Sequence, residues 1–334
     1  MRRLFALLAV LALLAGNVAA VTAQDATPGA MGPSTLSQLG LPELRVTLTA
    51  DGIQAPTEIA AGEVLMVLDN QTQAPDGITV IQLPEGTSME DAMMLFGPPP
   101  APEGTPDVEA SPAGEEEMGP PPPLFYEMTW GGGVFAAPGL PGEMVVTLTP
   151  GQWIIAPGPE SGMQPVTITV TGEDASPAAG TEIPADVTVE MKDLQFVMPD
   201  SLSAGDQVWK VTNSGEQPHE MFITKTPRRL TLDEVDTLLT LPEGELPPAD
   251  MPNPAEFVDV GGIAPISGDQ TVYAEFNLEP GAYVAICFMP DKETGMPHAM
   301  MGMVVVFEIP AEGQTVEPPA SPVPMEHEMG TPTS

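Results

Sequence analysis

An internal repeat constrains the fold of this chain more than any other feature of its sequence. Residues 46–76 align with residues 189–219 without a gap at a constant offset of 143, and Asn70 matches Asn213 in this alignment. The match resumes after a change in length, where LTPGQWIIAPG (148–158) parallels LEPGAYVAICF (278–288). A duplication on this scale predicts two related domains of about 130 residues each, which is an ordinary domain size.

Each copy consists of short runs in which Val, Thr, Ile and Leu alternate with polar residues, and Gly, Pro, Asn and Asp break these runs. This pattern is typical of β-strands. With about six to eight strands per copy, the sequence predicts an all-β chain of two tandem Greek-key β-sandwich domains. A short helical insert is expected in each copy, at 88–95 and at 231–238, because a Ser or Thr precedes acidic residues there.

Composition sets the predicted boundaries between these parts. The first domain is expected at 43–172 and the second at 187–310, with a linker at 173–186. A Pro- and Glu-rich insert in the first domain (97–124) and an acidic tail (311–334) are both expected to be disordered. Their low hydrophobicity cannot offset the entropy that is lost on ordering.

The N-terminal residues 1–23 have the pattern of a secretory signal peptide. Arg2 and Arg3 precede an apolar run at residues 4–15, which is too short to span a bilayer, and small residues follow. We therefore expect a secreted or extracytoplasmic protein. No later stretch is long and apolar enough to suggest a transmembrane helix.

The formal net charge of −38 narrows the choice of partners. A chain this acidic is repelled by nucleic acid and by anionic membranes, so neither is expected to bind. It would attract cations or a basic protein, such as a basic redox partner, although solubility alone also explains the charge. With one cysteine, the chain cannot form an internal disulfide.

Four residues of the second copy make up a candidate metal site. Cys287 is the only cysteine and ends an apolar strand, His219 follows another strand, and His298 and Met303 lie downstream of the cysteine. Two imidazoles, a thiolate and a weak axial thioether are the ligands of a mononuclear blue-copper centre. Each residue also has a plainer interpretation, with Cys287 as core filler, His219 as a turn residue and Met303 as packing.

The second copy resembles the cupredoxin family of blue-copper proteins, and the first copy resembles it more weakly. The motifs that carry the resemblance are NSGEQPH (213–219), PGAYVAICF (280–288) and PHAMMGM (297–303). The resemblance implies one copper per chain, used for one-electron transfer. Its implied ligands are His219, Cys287, His298 and Met303, with Met300 and Met301 as accessory candidates.

One spacing departs from the family pattern. Cys287 and His298 are separated by the ten residues FMPDKETGMP, whereas family members usually have two to four residues there. The stretch from Asp291 to Gly295 is typical of a turn. This turn either returns the chain to the metal or breaks the geometry of the site.

The remaining sequence bears on function in two ways. In the first copy Asp76 and Pro157 stand where the second has His219 and Cys287, so that copy is expected to lack metal. The tail holds Met325, His327 and Met329, a spacing that suits soft Cu(I) binding but that also arises by chance.

Three functions remain open at the level of sequence. The first is a copper protein for one-electron transfer, the second a Cu(I) chaperone or storage protein that uses Met, His and Cys, and the third a metal-free extracellular interaction module. An enzyme is not expected, because no catalytic motif stands out and three histidines cannot supply a trinuclear copper cluster.

Overall fold

The structure, a computed structural model, is mostly β. It describes residues 34–89, 91–92, 119–139, 141–158, 161–173, 183–242 and 245–322. The predicted signal peptide lies outside these residues. Among them, no helix combines the length and the apolar character needed to cross a bilayer.

Within its described residues, the first half has nine strands, a 3-10 helix and a single-turn α-helix, and residues 89 and 91–92 are also helical. The bounds of the strands, the 3-10 helix and the single-turn helix are η1 Leu36–Leu39, β1 Glu43–Thr49, β2 Gly52–Gln54, β3 Glu58–Ala60, β4 Gly62–Asn70, β5 Asp76–Gln82, α1 Leu124–Glu127, β6 Thr129–Ala136, β7 Gly142–Leu148, β8 Gly151–Pro157 and β9 Val166–Thr171.

The described part of the second half has eight strands, one α-helix and two 3-10 helices. Their bounds are β10 Val187–Lys192, β11 Gln195–Val197, β12 Gly205–Asn213, β13 His219–Thr226, α2 Leu232–Thr240, η2 Pro254–Glu256, β14 Val258–Ile266, β15 Thr271–Leu278, β16 Gly281–Ile286, η3 His298–Met301 and β17 Val304–Ile309.

The offset of the repeat recurs in the strands. β4 and β12 begin and end at positions that differ by 143, the offset found in the sequence. The helix predicted at 231–238 is also confirmed, since α2 begins after a capping box between Thr231 and Glu234. Of its counterpart at 88–95, residues 90 and 93–95 lie outside the described part of the chain.

Both sheets run across the two halves. One has the order β11-β10-β12-β15-β7-β4-β1-β2, and the other has the order β17-β16-β13-β14-β6-β5-β8-β9-β3. The halves meet where β15 pairs with β7 and where β14 pairs with β6. Met144 and Ala274, which are equivalent in the repeat, pair with each other, as expected across a local two-fold axis.

These pairings cover strand edges that would otherwise expose unpaired backbone groups. One hydrophobic cluster contains buried residues from both sheets and both halves, among them Trp153 and Trp209. The prediction of two separate Greek-key domains goes further than these pairings and stays a prediction.

The structure differs from the sequence-based expectation at the ends of the segments predicted to be disordered. The predicted insert ends at Leu124, but Leu124 begins α1, where Phe125 packs against Trp130 at a ring distance of 5.0 Å. In the predicted tail, Ala320 pairs with Val306 of β17. Local aromatic and backbone contacts thus order residues that composition alone marked as disordered.

Candidate metal centre

His219 is placed by the turn between β12 and β13. Asn213, at the end of β12, is fully buried, and its side-chain amide donates to the carbonyl oxygens of Gln217 and Ile266 at 2.8 Å each. Its side-chain oxygen accepts from the N–H of Gly215 at 2.8 Å. These bonds hold the turn closed, so that His219 begins β13 with its ring fully buried.

Cys287 directly follows β16 and is fully buried. Its backbone N–H donates to the carbonyl oxygen of Met303 at 3.2 Å. The backbone N–H groups of Glu220 and Met289 act to lower the pKa of its thiol. Burial outweighs these two N–H groups and raises the pKa of the thiol overall, so the cysteine is protonated in the metal-free protein.

The ten-residue segment between Cys287 and His298 returns the chain to the cysteine, which is one of the two outcomes that the sequence left open. The N–H of His298 donates to Met289 at 2.8 Å, and the N–H of Ala299 donates to the carbonyl of Cys287 at 2.7 Å. Between them, the Asp291 carboxylate accepts from the N–H and the hydroxyl of Thr294, both at 2.8 Å. The long spacing is therefore a closed loop that brings His298 back to Cys287.

Gln217 joins this loop to the turn that carries His219. Its side-chain nitrogen donates to Asp291 at 3.0 Å, and its side-chain oxygen accepts from the N–H of Lys292 at 2.7 Å. Burial acts to raise the pKa of Asp291, but the hydrogen bonds from Gln217 and Thr294 outweigh it, and the pKa lies below its ordinary value. The loop that carries His298 and the turn that carries His219 are thus fixed relative to each other.

Three donor atoms form a small buried triangle. The Nδ1 atoms of His219 and His298 lie 3.1 Å apart, and the Cys287 sulfur lies 3.9 Å from the first and 3.5 Å from the second. The point equidistant from all three in their plane is about 2.0 Å from each, close to transition-metal bonds to imidazole and thiolate, which are about 2.0 and 2.3 Å for zinc. The donor set and its spacing therefore fit a metal ion.

Asp193 orients the first imidazole. Its Oδ1 lies 3.1 Å from Nε2 of His219 and accepts the proton on that nitrogen, so Nδ1 presents a lone pair to the triangle. The hydrogen bond to His219 lowers the pKa of Asp193 to about 2. Gly215 permits this contact, because a Cβ there would clash with Asp193 and lie 2.9 Å from Nε2 of His219. A carboxylate that holds a ligating histidine in this way is common in metal sites.

Burial dominates the electrostatics of the metal-free centre. It raises the pKa of the Cys287 thiol far above its ordinary value, and the nearby Glu220 raises it further. It lowers the pKa of His298 to about 4, an effect to which His219 adds. Cys287 thus holds its proton at neutral pH and His298 is a neutral imidazole, so metal binding must release the thiol proton.

Two buried polar groups have incomplete partners. Nε2 of His298 has no hydrogen-bond partner within the described residues. The Glu220 carboxyl accepts one bond from the N–H of Phe288 at 3.1 Å, and burial raises its pKa to about 8. The His298 imidazole is therefore buried with its Nδ1 facing two other donor atoms and its Nε2 unpaired among the described residues. Burial of a polar ring in this way destabilises an apolar core, so simple packing does not explain this histidine.

The remaining predicted ligands, which are methionines and His327, fall into three groups. Met303 is fully buried, and its N–H donates to the carbonyl of His298 at 2.9 Å, which places its backbone beside two of the triangle residues. Met300 and Met301 lie in η3 and are half-buried. Met325, His327 and Met329 lie outside the described residues.

The first half covers the loop of the metal centre. The Tyr126 hydroxyl of α1 donates to the carbonyl of Pro290 at 3.0 Å, and a Cβ on Gly295 would lie 2.6 Å from the carbonyl oxygen of Gly119. Burial and the Asp291 charge both raise the pKa of Tyr126. The loop thus contacts Gly119, which lies within the insert predicted to be disordered, and Tyr126, which lies just beyond it.

Sequence reasoning missed Asp193, Glu220 and Gln217, although the repeat held a signal for them. At the offset of 143 these positions correspond to Ala50, Gly77 and Ala74 in the first copy. Polar residues that are present only in the copy with the histidine and cysteine mark the supporting shell of the site.

No family model matches the chain, and no curated protein matches it. Several solved structures match the chain. The copper-containing nitrite reductase from Thermus scotoductus SA-01 is 12% identical, with a TM-score of 0.22, and the match covers 84% of this chain and 64% of that one.

Auracyanin B is 21% identical, covering 37% of this chain and 88% of that one with a TM-score of 0.23. Auracyanin A, described as a "blue" copper protein from Chloroflexus aurantiacus, is 23% identical, covering 30% and 85% with a TM-score of 0.19. These neighbours are cupredoxin-fold proteins. Their low identities and TM-scores carry no argument about function, which rests on the geometry of the site.

Proposed function

We propose that the chain binds one copper ion in its second half and transfers single electrons outside the cytoplasm. His219, Cys287 and His298 would hold the copper, and Met303 would supply a weaker thioether ligand. The observation that carries the proposal is the buried triangle of two Nδ1 atoms and one sulfur, with sides of 3.1, 3.5 and 3.9 Å. Two imidazoles, a thiolate and an axial methionine are the preferred set for a copper electron-transfer site.

Copper held by such a set changes between Cu(I) and Cu(II) and so supplies a one-electron couple. The protein's own residues keep the ligands in one arrangement for both states. Asp193 fixes the ring of His219, the Asp291 loop fixes His298, and two backbone N–H groups stabilise charge on Cys287. Phe288 and Met289 are buried beside the cysteine and exclude water from it.

The location and the partner are parts of the same proposal. The predicted signal peptide at 1–23 supports an extracytoplasmic location. The net charge of −38 supports a basic protein as the redox partner, because long-range attraction speeds the encounter of opposite charges. The proposed role is that of an electron carrier without substrate chemistry of its own.

The test is a metal count and a visible absorption spectrum after Cu(II) is added to the purified protein. We expect one copper per chain and an intense thiolate-to-copper band. Cys287→Ser should lose both, whereas the matched control Ala285→Ser, a buried position in the strand that precedes Cys287, should keep both. One copper without the band would instead support a Cu(I) carrier, and no copper would overturn the proposal.

A further inference from the structure

The nine-stranded sheet has β3 at one edge and β17 at the other, and the two halves cover this sheet differently. In the first half, β9 pairs with β8 on one side and with β3 on the other. In the second half, β17 pairs with β16 in the same way, but residues 201–203, which correspond to β3 at the offset of 143, form no strand. A piece of the tail lies there instead, because Ala320 and Val306 exchange two backbone hydrogen bonds of 2.9 Å each.

The edge that the tail covers is the longest of the four sheet edges. The edge strands β2, β3 and β11 have three residues each, whereas β17 has six, and five of these six are apolar. A long apolar edge with unpaired backbone groups favours pairing with another chain, so folded proteins keep such edges covered. The tail therefore occupies a position that this fold needs to have filled.

Arg229 binds the tail to β17. Its guanidinium donates to the carbonyl oxygens of Pro318 at 2.8 Å and of Glu317 at 3.2 Å. It also lies 3.4 Å from the carboxylate of Glu308 in β17, and its side chain is largely shielded from water. At the offset of 143 Arg229 corresponds to Gly86, so the first half has no arginine at the equivalent position.

Few hydrogen bonds hold the tail in this position. Pro318, Pro319 and Pro322 have no backbone N–H, and Ala320 is the one residue of the described tail that pairs with β17. None of the residues 311–322 is fully buried. Segments with few buried contacts open at a lower free-energy cost than core strands. We therefore expect the tail to detach while the sheet stays folded.

The bound tail ends against the segment that closes the metal centre. A Cβ built on Gly302 would lie 3.5 Å from Cβ of Pro322, which is van der Waals contact. Gly302 joins η3 to Met303, and both sides of this segment are bonded to Cys287. The N–H of Ala299 donates to the carbonyl of Cys287 at 2.7 Å. The N–H of Cys287 in turn donates to the carbonyl of Met303 at 3.2 Å.

Outward movement of residues 298–303 would expose the buried thiol of Cys287. The tail opposes this movement at two points. Pro322 lies against the segment itself, and Ala320 packs against the hydrophobic cluster that contains Ala299. The position of the tail thus bears directly on access to the metal centre.

We propose that residues 317–322 are a releasable strap, which holds η3 closed over Cys287 and opens the metal centre when it detaches. The strap would control the exchange of copper with the surroundings without contributing a ligand. The control of copper exchange rests on the proposed function, whereas the strap and its effect on Cys287 do not.

The test is the rate at which N-ethylmaleimide alkylates Cys287 in the metal-free full chain. Since Cys287 is the only cysteine, the gain in mass reports on this thiol alone. Ala320→Pro removes the N–H that pairs with Val306 and should raise the alkylation rate about 10-fold. Arg229→Gln should raise it less, because the pairing with β17 remains. A chain that ends at residue 314 should show the largest increase.

Two matched variants control for the substitutions themselves. Thr315→Pro places the same residue at an exposed tail position outside the strap. Lys225→Gln removes a different cation, one that pairs with the exposed Glu279 rather than with the tail. Both variants should be alkylated at the native rate.

Hydrogen exchange separates local opening from a general loss of stability. In Ala320→Pro the amides of η3 should exchange faster than in the native chain, while those of the central strand β12 should keep their native rates. Faster exchange in both elements would overturn the proposal, because the effect would then belong to unfolding of the whole sheet.

The outcomes also distinguish the failure of the strap from that of the proposed function. Native alkylation rates in Ala320→Pro and in the chain that ends at residue 314 would overturn the strap, whatever the copper count. Faster alkylation in these two variants, with no copper bound by the native chain, would support the strap and overturn the copper site.

Discussion

The two halves of this protein share a framework and differ in nearly every residue that could hold a metal. Asn70 and Asn213 occupy equivalent positions, and both are fully buried. Each donates from its side chain to the carbonyls of its own turn and of a neighbouring strand, at 2.8 and 2.9 Å to Ala74 and Ala136 in the first half. The same turn is therefore built in both halves.

On this common turn, the second half carries the candidate metal centre, and the described residues of the first half contain no comparable group of donors. His219 and Cys287 correspond to Asp76 and Pro157 in the first half. The residues that support them differ as well, since Asp193, Gly215 and Glu220 correspond to Ala50, Thr72 and Gly77. The comparison teaches that the fold requires the framework alone and that the proposed function requires a small additional set of side chains.

The largest expected effect on copper binding comes from replacing His219 with aspartate, the residue that the first half has at the equivalent position, Asp76. In His219→Asp, the triangle loses an imidazole and gains a carboxylate beside Asp193, so copper per chain should fall from one to none. The reverse exchange, Asp76→His, should leave the count at one, because the first half has no cysteine. Copper uptake by that second variant would show that the framework alone specifies a site.

The shared asparagines test whether the two halves contribute equally to stability. Asn70→Ala and Asn213→Ala each leave buried carbonyl groups unpaired, so each should lower the free energy of unfolding by about 2 to 4 kcal/mol in the metal-free chain. Denaturant titration measures this loss. Only Asn213→Ala should also weaken copper binding, and equal effects of both variants on copper would contradict the assignment of the site to the second half.

Asp193 provides a smaller, graded test. Asp193→Ala, which restores the residue of the first half, removes the partner of His219 and should weaken copper affinity about 10- to 100-fold. Asp193→Asn keeps an oxygen acceptor and should lose less. Competition with a calibrated copper chelator measures both. An unchanged affinity in Asp193→Ala would mean that packing alone orients the histidine.

The buried Glu220 should make the stability of the metal-free chain depend on pH. The equivalent residue in the first half is Gly77, which has no side chain to titrate. The pKa of Glu220 rises from an ordinary 4.5 to about 8 on folding, so the folded state binds more protons between these values. Stability of the metal-free chain should therefore fall as pH rises from 6.5 to 8, by about 1 kcal/mol per pH unit. Below pH 6.5 His298, whose pKa is lowered to about 4, acts in the opposite direction.

Glu220→Gln is the matched variant for this effect. It removes the titrating group but keeps an oxygen that can accept from Phe288, so the decline above pH 6.5 should disappear. Chemical denaturation of the metal-free chain at a series of pH values checks this. A decline of the same size in the variant would assign the effect to another group.

The smallest effect concerns the contact between the halves. Tyr126→Phe removes the hydrogen bond to Pro290 and should cost about 1 kcal/mol. It should also speed hydrogen exchange of the amides from Asp291 to Gly295. Tyr283→Phe, which removes a hydrogen bond to Glu279 within the second half, should leave those amides unchanged. Equal exchange in both variants would mean that α1 does not restrain the loop.

Several features of this protein were determined by the sequence alone. The repeat with an offset of 143 and the alternation of apolar and polar residues predicted the strands, because both can be read directly from the order of residues along the chain. The four candidate ligands were also visible, since one cysteine and three histidines leave few combinations. The turn from Asp291 to Gly295 was visible for the same local reason.

Only the tertiary structure decided whether these parts meet. Strand pairing between the halves depends on which edges face each other, and no local pattern specifies that. The closing of the ten-residue loop depends on Gln217 and Tyr126, which lie 74 and 164 residues from their partners. The separations within the triangle likewise come from three segments held by distant hydrogen bonds. Residue types follow from sequence, but distances of 3 to 4 Å between remote side chains are set by packing alone.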